Sequence, residues 1–217
     1  GSSTRMGFNK LLVELNGVPV IIRTVLAFDS IKQVKQIVVV TSNQQIKSLL
    51  SDYPFKHKIT FAEGGSTRFT SAENGFEALK DCNLVAVHDG ARPFVQPNEI
   101  KAVFAEAEKH GAAILAVPAK ETVKQAADGF ITSTPPRESL FMAQTPQVFD
   151  CGLYKKALEL AKADKRDDFT DDSQLVEQTG AKVKICLGSY NNIKLTTPAD
   201  LAQAEQLAKE QDEGKDG

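Results

Sequence analysis

Tryptophan is absent from the 217 residues, and aromatic side chains make up only 7% of them. That leaves too few flat rings for a nucleic-acid platform built on base stacking. Cysteine is nearly as scarce: Cys82, Cys151 and Cys186 stand far apart, and none falls into a metal-type Cys/His spacing. The expectation is reduced, mostly buried thiols in a cytoplasmic protein, with no catalytic cysteine. No apolar run approaches the ~18 residues of a membrane span, and no secretory signal pattern is visible, so no membrane role is expected. A strong charge of one sign is missing too. A net charge of −2 gives no overall pull toward nucleic acid or anionic lipid, so any anion site must be local. The patterns G-x-x-x-x-G-K-[ST] and G-x-G-x-x-G do not occur, nor does a nucleophile elbow, which removes the commonest phosphate-loop, dinucleotide and hydrolase readings.

What is there is ordinary in bulk and specific in order. Hydrophobic residues at 41% and charged residues at 25% suit a globular chain long enough to bury a full core. Continuous apolar runs at 36–41, 83–88 and 112–117 read as strands buried on both faces, with a further strand at 58–62. Apolar residues at helical spacing mark a helix at 18–29, and further helices are read at 43–51, 66–79, 99–110 and 150–163. Asn98 is the expected cap of the fourth, and Gly111 its end. Leu11–Leu15 reads as extended, 171–179 as a helix capped from Thr170 onward, and 181–187 as a strand; Thr197-Pro198 opens a last helix. Alternating strands and helices predict an α/β, doubly wound sheet in a single domain of residues 1–208, with 209–217 as a fraying tail. Ligands of such sheets sit beyond the C-terminal ends of the strands. The polar groups at 63–68, 89–93 and 118–122 should therefore share one edge.

Residues 118–142 break this rhythm. Asp128-Gly129 is a hairpin signal between two short β-prone pieces, and Pro135-Pro136-Arg137 excludes a helix. The segment reads as a protruding β-arm, either a plain surface excursion or a dimerisation element that carries residues into a partner's site.

The candidate chemistry lies in loops and at strand ends. The opening Gly1-Ser-Ser-Thr-Arg-Met6, with Lys10 beyond, combines small residues with two cations and can wrap a polyphosphate; taken alone it can equally be a pliant terminus. Arg68, Arg92, Arg137 and Lys194 recur beside Gly, Pro and Asp in similar places. Converging cations would stabilise the charge that develops in phosphoryl or nucleotidyl transfer. Asp89 ends a buried strand, where a carboxylate either holds Mg²⁺ or closes the strand in an Asx turn. Asp171 and Asp172 hint at a metal pair, but helix capping accounts for at least one of them, and His88 reads as structural.

Several of these stretches, in this order, carry a family resemblance. Gly1-Ser-Ser-Thr-Arg-Met6 with Lys10 resembles the A-A-G-x-x-x-R-M…K signature of nucleotidyltransferases. Val87-His-Asp-Gly-Ala-Arg-Pro-Phe94, Gln144-Thr-Pro-Gln147 and Asn192-Ile-Lys194 narrow the resemblance to the 2-C-methyl-D-erythritol 4-phosphate cytidylyltransferases of the non-mevalonate isoprenoid pathway, over residues 1 to about 205. The resemblance implies a Rossmann-like sheet and transfer of a cytidylyl group from CTP to methylerythritol phosphate, with Mg²⁺ on the triphosphate. It implies catalytic roles for Arg5, Lys10 and Lys194. Gly1, Ser2, Gly65, Ser66, Arg68, Ser71 and Asp89 would form the nucleotide side, with Asp89 also on the metal. Arg92, Thr145 and Lys194 would face the methylerythritol phosphate, and Thr122 and Arg137 would reach it from the neighbouring subunit of a homodimer joined through the arm. Three departures stand out: the family has a strand ending in Ala-Ala-Gly and this sequence starts at that Gly; only three residues separate Met6 from Lys10; and Ser66 stands where many relatives carry Asp. A sister enzyme acting on ribitol 5-phosphate is disfavoured by Gly90-Ala91. A non-catalytic nucleotide-binding protein of the same fold is disfavoured by the presence of Arg5, Lys10, Lys194 and Asp89.

Overall fold

A computed structural model describes residues 9–214. Its first feature is a single 3-10 turn, Lys10–Leu12, capped by the Asn9 side chain. Leu11 and Leu12 lie in that turn and the chain is extended from Val13, with strand pairing at β1 (Glu14–Leu15), so the expected run from Leu11 to Leu15 is part turn and part strand. β1 folds back on β2 (Val18–Pro19) through Asn16 and Gly17, both at positive φ, the geometry that an Asn-Gly hairpin provides. The chain continues through α1 (Val20–Asp29), β3 (Ile37–Val40), α2 (Gln44–Asp52), β4 (Ile59–Ala62), α3 (Arg68–Glu77), β5 (Leu84–Val87), α4 (Pro97–His110) and β6 (Ala112–Pro118). The arm holds β7 (Gln125–Ala127) and β8 (Phe130–Ser133), then β9 (Phe141–Asp150) re-enters the body. α5 (Cys151–Ala163), α6 (Asp172–Glu177), β10 (Lys184–Leu187) and α7 (Pro198–Glu213) complete the fold.

The α/β architecture is as expected, but its sheet is mixed. Four strands run in the order β10-β6-β9-β5, and β9 is antiparallel to both β6 and β5. Pro146 lies within β9, in the middle of this sheet, where a proline cannot donate to the ladder. β9 admits it through an irregularity: Ile114 pairs with Gln147 and Ala116 with Ala143, so Gln144, Thr145 and Pro146 bulge opposite Leu115. The bulge places Thr145 beside the end of β5 and Gln144 against the loop after β10.

Alternation along β6 divides the core. Ala113 and Leu115 pack with Ile100 and Val103 of α4 and Val148 of β9, while Ala112 and Ile114 pack with Phe149 and, from α5, Tyr154 and Leu158. Each fully buried aliphatic or aromatic side chain contributes about 1.5–3 kcal/mol, so this two-sided cover is the main force holding the sheet.

Among the described residues β3 pairs only with β4, in parallel. Its four residues are half-buried rather than closed in on both faces, because its other edge looks across a groove of about 840 Å³ toward β5. Val38, Val40, Val85, Val87, Ile21 and Phe76 line that groove.

Three local expectations change. α4 is capped by Gln96, whose backbone N–H donates to Glu99, and not by Asn98. α7 continues to Glu213, past the expected start of fraying at 209, because Asp212 pairs with the buried Arg23 and accepts from Asn16 at 2.9 Å. Cys82 and Cys151 are joined in a disulfide, with Cα atoms 6.3 Å apart, and only Cys186 is a buried free thiol. They meet because Leu84 pairs with Asp150 in the sheet and Cys151 N donates to Asn83 O at 2.9 Å. Sequence separation alone hid that proximity.

Candidate active site

The site is built around the turn after β5. Arg92 N donates to Asp89 O at 3.0 Å, closing the turn over Gly90 and Ala91. Thr24 of α1 donates to Gly90 O at 2.9 Å, and Leu195 N donates to Ala91 O at 2.9 Å, so the turn is clamped from two sides. A Cβ on Gly90 would stand 3.3 Å from Ile21 Cδ1, so a side chain there needs Ile21 to give way slightly. Leu11, next to Lys10, packs at the same place.

Asp89 receives two cations on one oxygen. Lys194 Nζ lies 3.0 Å from Oδ2, and Arg92 Nε lies 3.3 Å from the same atom. Burial pushes the Asp89 carboxyl up, but Lys194 and then Arg92 outweigh it and hold the group below the usual carboxylate range. Arg92 also donates through Nη1 to Asn192 O at 2.7 Å. The loop after β10 is thus tied to the turn after β5. Tyr190 extends the tie to β6, donating to Pro118 O at 2.8 Å, and Lys120 sits over its ring.

Beneath the carboxylate lies a polar chain. Asp89 N donates to Thr145 Oγ1 at 3.0 Å, Thr145 Oγ1 lies 3.0 Å from His88 Nδ1, and His88 Nε2 lies 3.1 Å from Arg92 O. Loss of solvent around the imidazole lowers its pKa to about 4, so His88 is neutral at pH 7. Thr145 is buried and its hydroxyl faces His88 and Asp89, so the expectation that it faces substrate changes: it braces the turn.

The second loop follows β4. Gly65 N donates to Ser71 Oγ at 3.0 Å, and Ser71 donates to Thr67 O at 2.8 Å, so Ser71 shapes the loop with both hydroxyl capacities. A Cβ on Gly65 would fall 2.1 Å from Thr70 Oγ1, which makes glycine obligatory there. Ser66 is exposed. Arg68 pairs with Asp172, which also accepts from Tyr154 OH at 2.6 Å. Burial lowers the Arg68 pKa, but Asp172 outweighs it and Asp89 adds to the rise, which places Arg68 within the field of the first turn. Burial and Asp172 together drive the Tyr154 phenol well up. Asp172 is almost wholly buried, so removing Arg68 would strand its charge at a cost on the order of 2–3 kcal/mol, less than for a fully buried pair because Arg68 is part-exposed.

The structure therefore gathers Asp89, Arg92, Thr145 and Lys194, and brings Arg68 near them. Gly65, Ser66 and Ser71 stand together on the neighbouring loop. Gly1, Ser2 and Arg5 lie outside the described residues. Thr122 and Arg137 are exposed on the arm; Arg137 donates to Lys120 O at 3.3 Å, and among the described residues neither bonds to the Asp89 turn. The sequence offers Asp172 only as a metal or capping residue, and gives Gln147 and Asn192 a place in motifs but no role. Asp171 caps α6 by accepting from Gln174 N at 2.8 Å, and Asp172 pairs inward, so they form no metal pair. Gln147 Oε1 accepts from Asp172 N and Ser173 N, each at 2.9 Å, and Asn192 Nδ2 donates to Thr145 O at 3.0 Å. The flanking Gln144-Thr-Pro-Gln147 and Asn192-Ile-Lys194 motifs were the available signal.

Among the described residues, no three His, Cys, Asp or Glu side chains cluster as a metal cage, and no helix is long and apolar enough to cross a membrane. The single carboxylate of Asp89 fits Mg²⁺, which usually takes one or two carboxylates and shares the substrate's phosphates.

Comparison with known proteins meets this geometry. The family model described as IspD, 2-C-methyl-D-erythritol 4-phosphate cytidylyltransferase, matches residues 1–210. A protein of that name from Bacillus licheniformis is 42% identical over 210 residues, covering 95% of this chain and 90% of its own length. One from Bacillus mycoides is 40% identical over 214 residues, covering 95% and 93%. Among solved structures, the 4-diphosphocytidyl-2C-methyl-D-erythritol synthase of Anaerococcus prevotii superposes with a TM-score of 0.83 at 33% identity, covering 90% of this chain and 88% of that one. The Thermus thermophilus cytidylyltransferase gives 0.79 at 30%, covering 95% and 96%.

Proposed function

Because this chain belongs to the 2-C-methyl-D-erythritol 4-phosphate cytidylyltransferase family, we propose that it joins CTP and 2-C-methyl-D-erythritol 4-phosphate, giving 4-diphosphocytidyl-2-C-methyl-D-erythritol and pyrophosphate. The observation that carries the reading is the Asp89 carboxylate held between Arg92 and Lys194 at the strand ends. A phosphate oxygen of the sugar-alcohol substrate attacks the α-phosphorus of CTP in line. One P–O bond forms, the bond to the bridging oxygen breaks, and pyrophosphate leaves with its electron pair. No side chain need become covalently attached, which suits a site without an activated nucleophile.

Catalysis of this kind is positioning and charge stabilisation. Arg5, Lys10 and Lys194 stabilise the charge crowding onto the α-phosphate. Gly1 and Ser2 line the triphosphate, while Gly65, Ser66, Arg68 and Ser71 take the nucleotide. Asp89 accepts from the ribose side and would hold Mg²⁺, which when bound neutralises triphosphate charge. Arg92 faces the second substrate. Thr122 and Arg137 reach it from a partner subunit: Phe130 and Ile131 on the arm are 78% and 66% exposed, an apolar surface suited to a second copy. The expected cytoplasmic setting belongs to the same proposal.

The test is pyrophosphate release from CTP in Mg²⁺, measured with and without methylerythritol phosphate. Release only with that substrate is expected. Equal turnover with ribitol 5-phosphate overturns the substrate, and no turnover with either leaves a binding protein.

A further inference from the structure

His88 precedes the site carboxylate and has no part in the roles assigned above. It stands between two layers: its ring packs on Phe28 of α1 at 4.8 Å between centroids, and its nitrogens reach β9 on one side and the turn on the other. The partners dictate where its protons lie. Arg92 O can only accept, so His88 Nε2 carries the hydrogen. Thr145 Oγ1 already accepts from Asp89 N, and its own hydrogen points to Nδ1, the lone-pair nitrogen of a neutral ring. The bonds then run one way, from Asp89 N–H to Thr145, from Thr145 O–H to His88 Nδ1, and from His88 Nε2–H to Arg92 O. This chain begins and ends on the same turn, at Asp89 and Arg92, whose side chains meet at 3.3 Å.

We propose that His88, as its Nε2–H tautomer, is a positioning residue that acts through Thr145 to fix the direction of the Asp89–Arg92 turn and so the placement of the Asp89 carboxylate against Arg92 and Lys194. Thr145 has one hydroxyl proton, and His88 decides where it goes. Without that acceptor the hydroxyl can rotate, the hydrogen bond from Asp89 N loses its fixed partner, and Arg92 O loses its donor. Both ends of the turn then lose a bond together, while Thr24 and Leu195 still hold its middle. The kinetic part of the inference rests on the cytidylyltransferase reading, whereas the tautomer and the hydrogen bonds do not.

The experiment has two arms. Long-range ¹H–¹⁵N correlation on histidine-labelled protein reads the tautomer of His88, and hydrogen exchange reads the Asp89 amide. The Nε2–H form is expected at pH 7, with an Asp89 amide that exchanges markedly faster in His88→Leu than in the parent. The Nδ1–H form, or an unchanged Asp89 amide, overturns the proposal whatever the activity. In the kinetic arm, His88→Leu should lower kcat about tenfold to a hundredfold, the scale of a small misplacement of reacting groups, with KM for CTP nearly unchanged. His88→Asn puts an acceptor back where Nδ1 stood and should recover most of kcat. Thr145→Val added to His88→Leu should cost little more than either alone, because both break one chain. A purely structural histidine predicts instead a lower melting temperature, normal kcat for the folded fraction and no recovery by Asn. If the tautomer and exchange results hold but no cytidylyl transfer is found with any variant, the functional reading fails and the positioning chain stands.

Discussion

The turn at 88–92 and the arm at 118–142 carry the two parts of the proposed site in opposite ways. In the turn, nearly every polar group has an intramolecular partner: Asp89 has Lys194 and Arg92, Arg92 has Asn192, and the backbone has Thr24, Thr145 and Leu195. The arm holds a two-stranded hairpin with every residue exposed, and Arg137 bonds only to its own arm among the described residues. The difference teaches how a two-substrate site is divided. Groups that meet developing charge gain from being fixed before substrate arrives, since no reorganisation is then needed. Groups on an unsupported hairpin acquire a fixed place only against another surface, because an isolated two-stranded hairpin is marginal in water.

Breaking the turn should have the largest effect. Lys194→Ala is expected to lower kcat by roughly 10²–10³-fold, the cost of losing one preorganised charge-stabilising group, in single-turnover assays; a change confined to KM would deny it a transition-state role. Next comes the arm. Phe130→Asp should weaken self-association by about 2 kcal/mol, near 30-fold in the dimer constant, by sedimentation, while the melting temperature of the body stays the same; an unchanged constant would remove the arm from the interface. The link between the regions is tested by mixing Arg5→Ala with Arg137→Ala. In such a mixed dimer one of the two sites has both residues intact; since an equilibrated equal mixture holds about half mixed dimers, about a quarter of the parent activity should return. No recovery would put Arg137 outside the partner's site. The smallest effect concerns acid. Because the folded Asp89 carboxyl titrates below its unfolded value, its contribution to stability is full above about pH 4 and is lost as pH falls through the folded value. Thermal melts of the parent and Asp89→Asn should therefore converge as pH drops below about 4; parallel curves would mean that the cations do not stabilise the carboxylate.

Some of this could be read from the residues. The apolar run before Asp89 gave β5, and a turn residue set after it gave the site's position. Lys194 and Arg92 stood out because they recur beside strand ends. Other parts were hidden for physical reasons. Pro146 masked β9, since a proline in a central strand is tolerated only where the ladder is already irregular, as it is opposite Leu115. Asp172 looked like a cap or a metal ligand, and only its neighbours Arg68 and Tyr154, distant in sequence, make it a buried counter-ion. The disulfide was invisible because Cys82 and Cys151 are 69 positions apart in the sequence, and the pairing of β5 with β9 brings them together.

By itself the sequence determined the α/β alternation, the position of the arm, the residue types at the strand ends and, through separated motifs in order, the family. These are local properties: period, turn chemistry and side-chain type act over a few residues. Only the tertiary structure decided which cations share Asp89, that Thr145 serves the turn, and that His88 closes a hydrogen-bond chain on it. Those are pairings between elements far apart along the chain, made by β9 entering the middle of the sheet, and no local pattern contains the register that sets them.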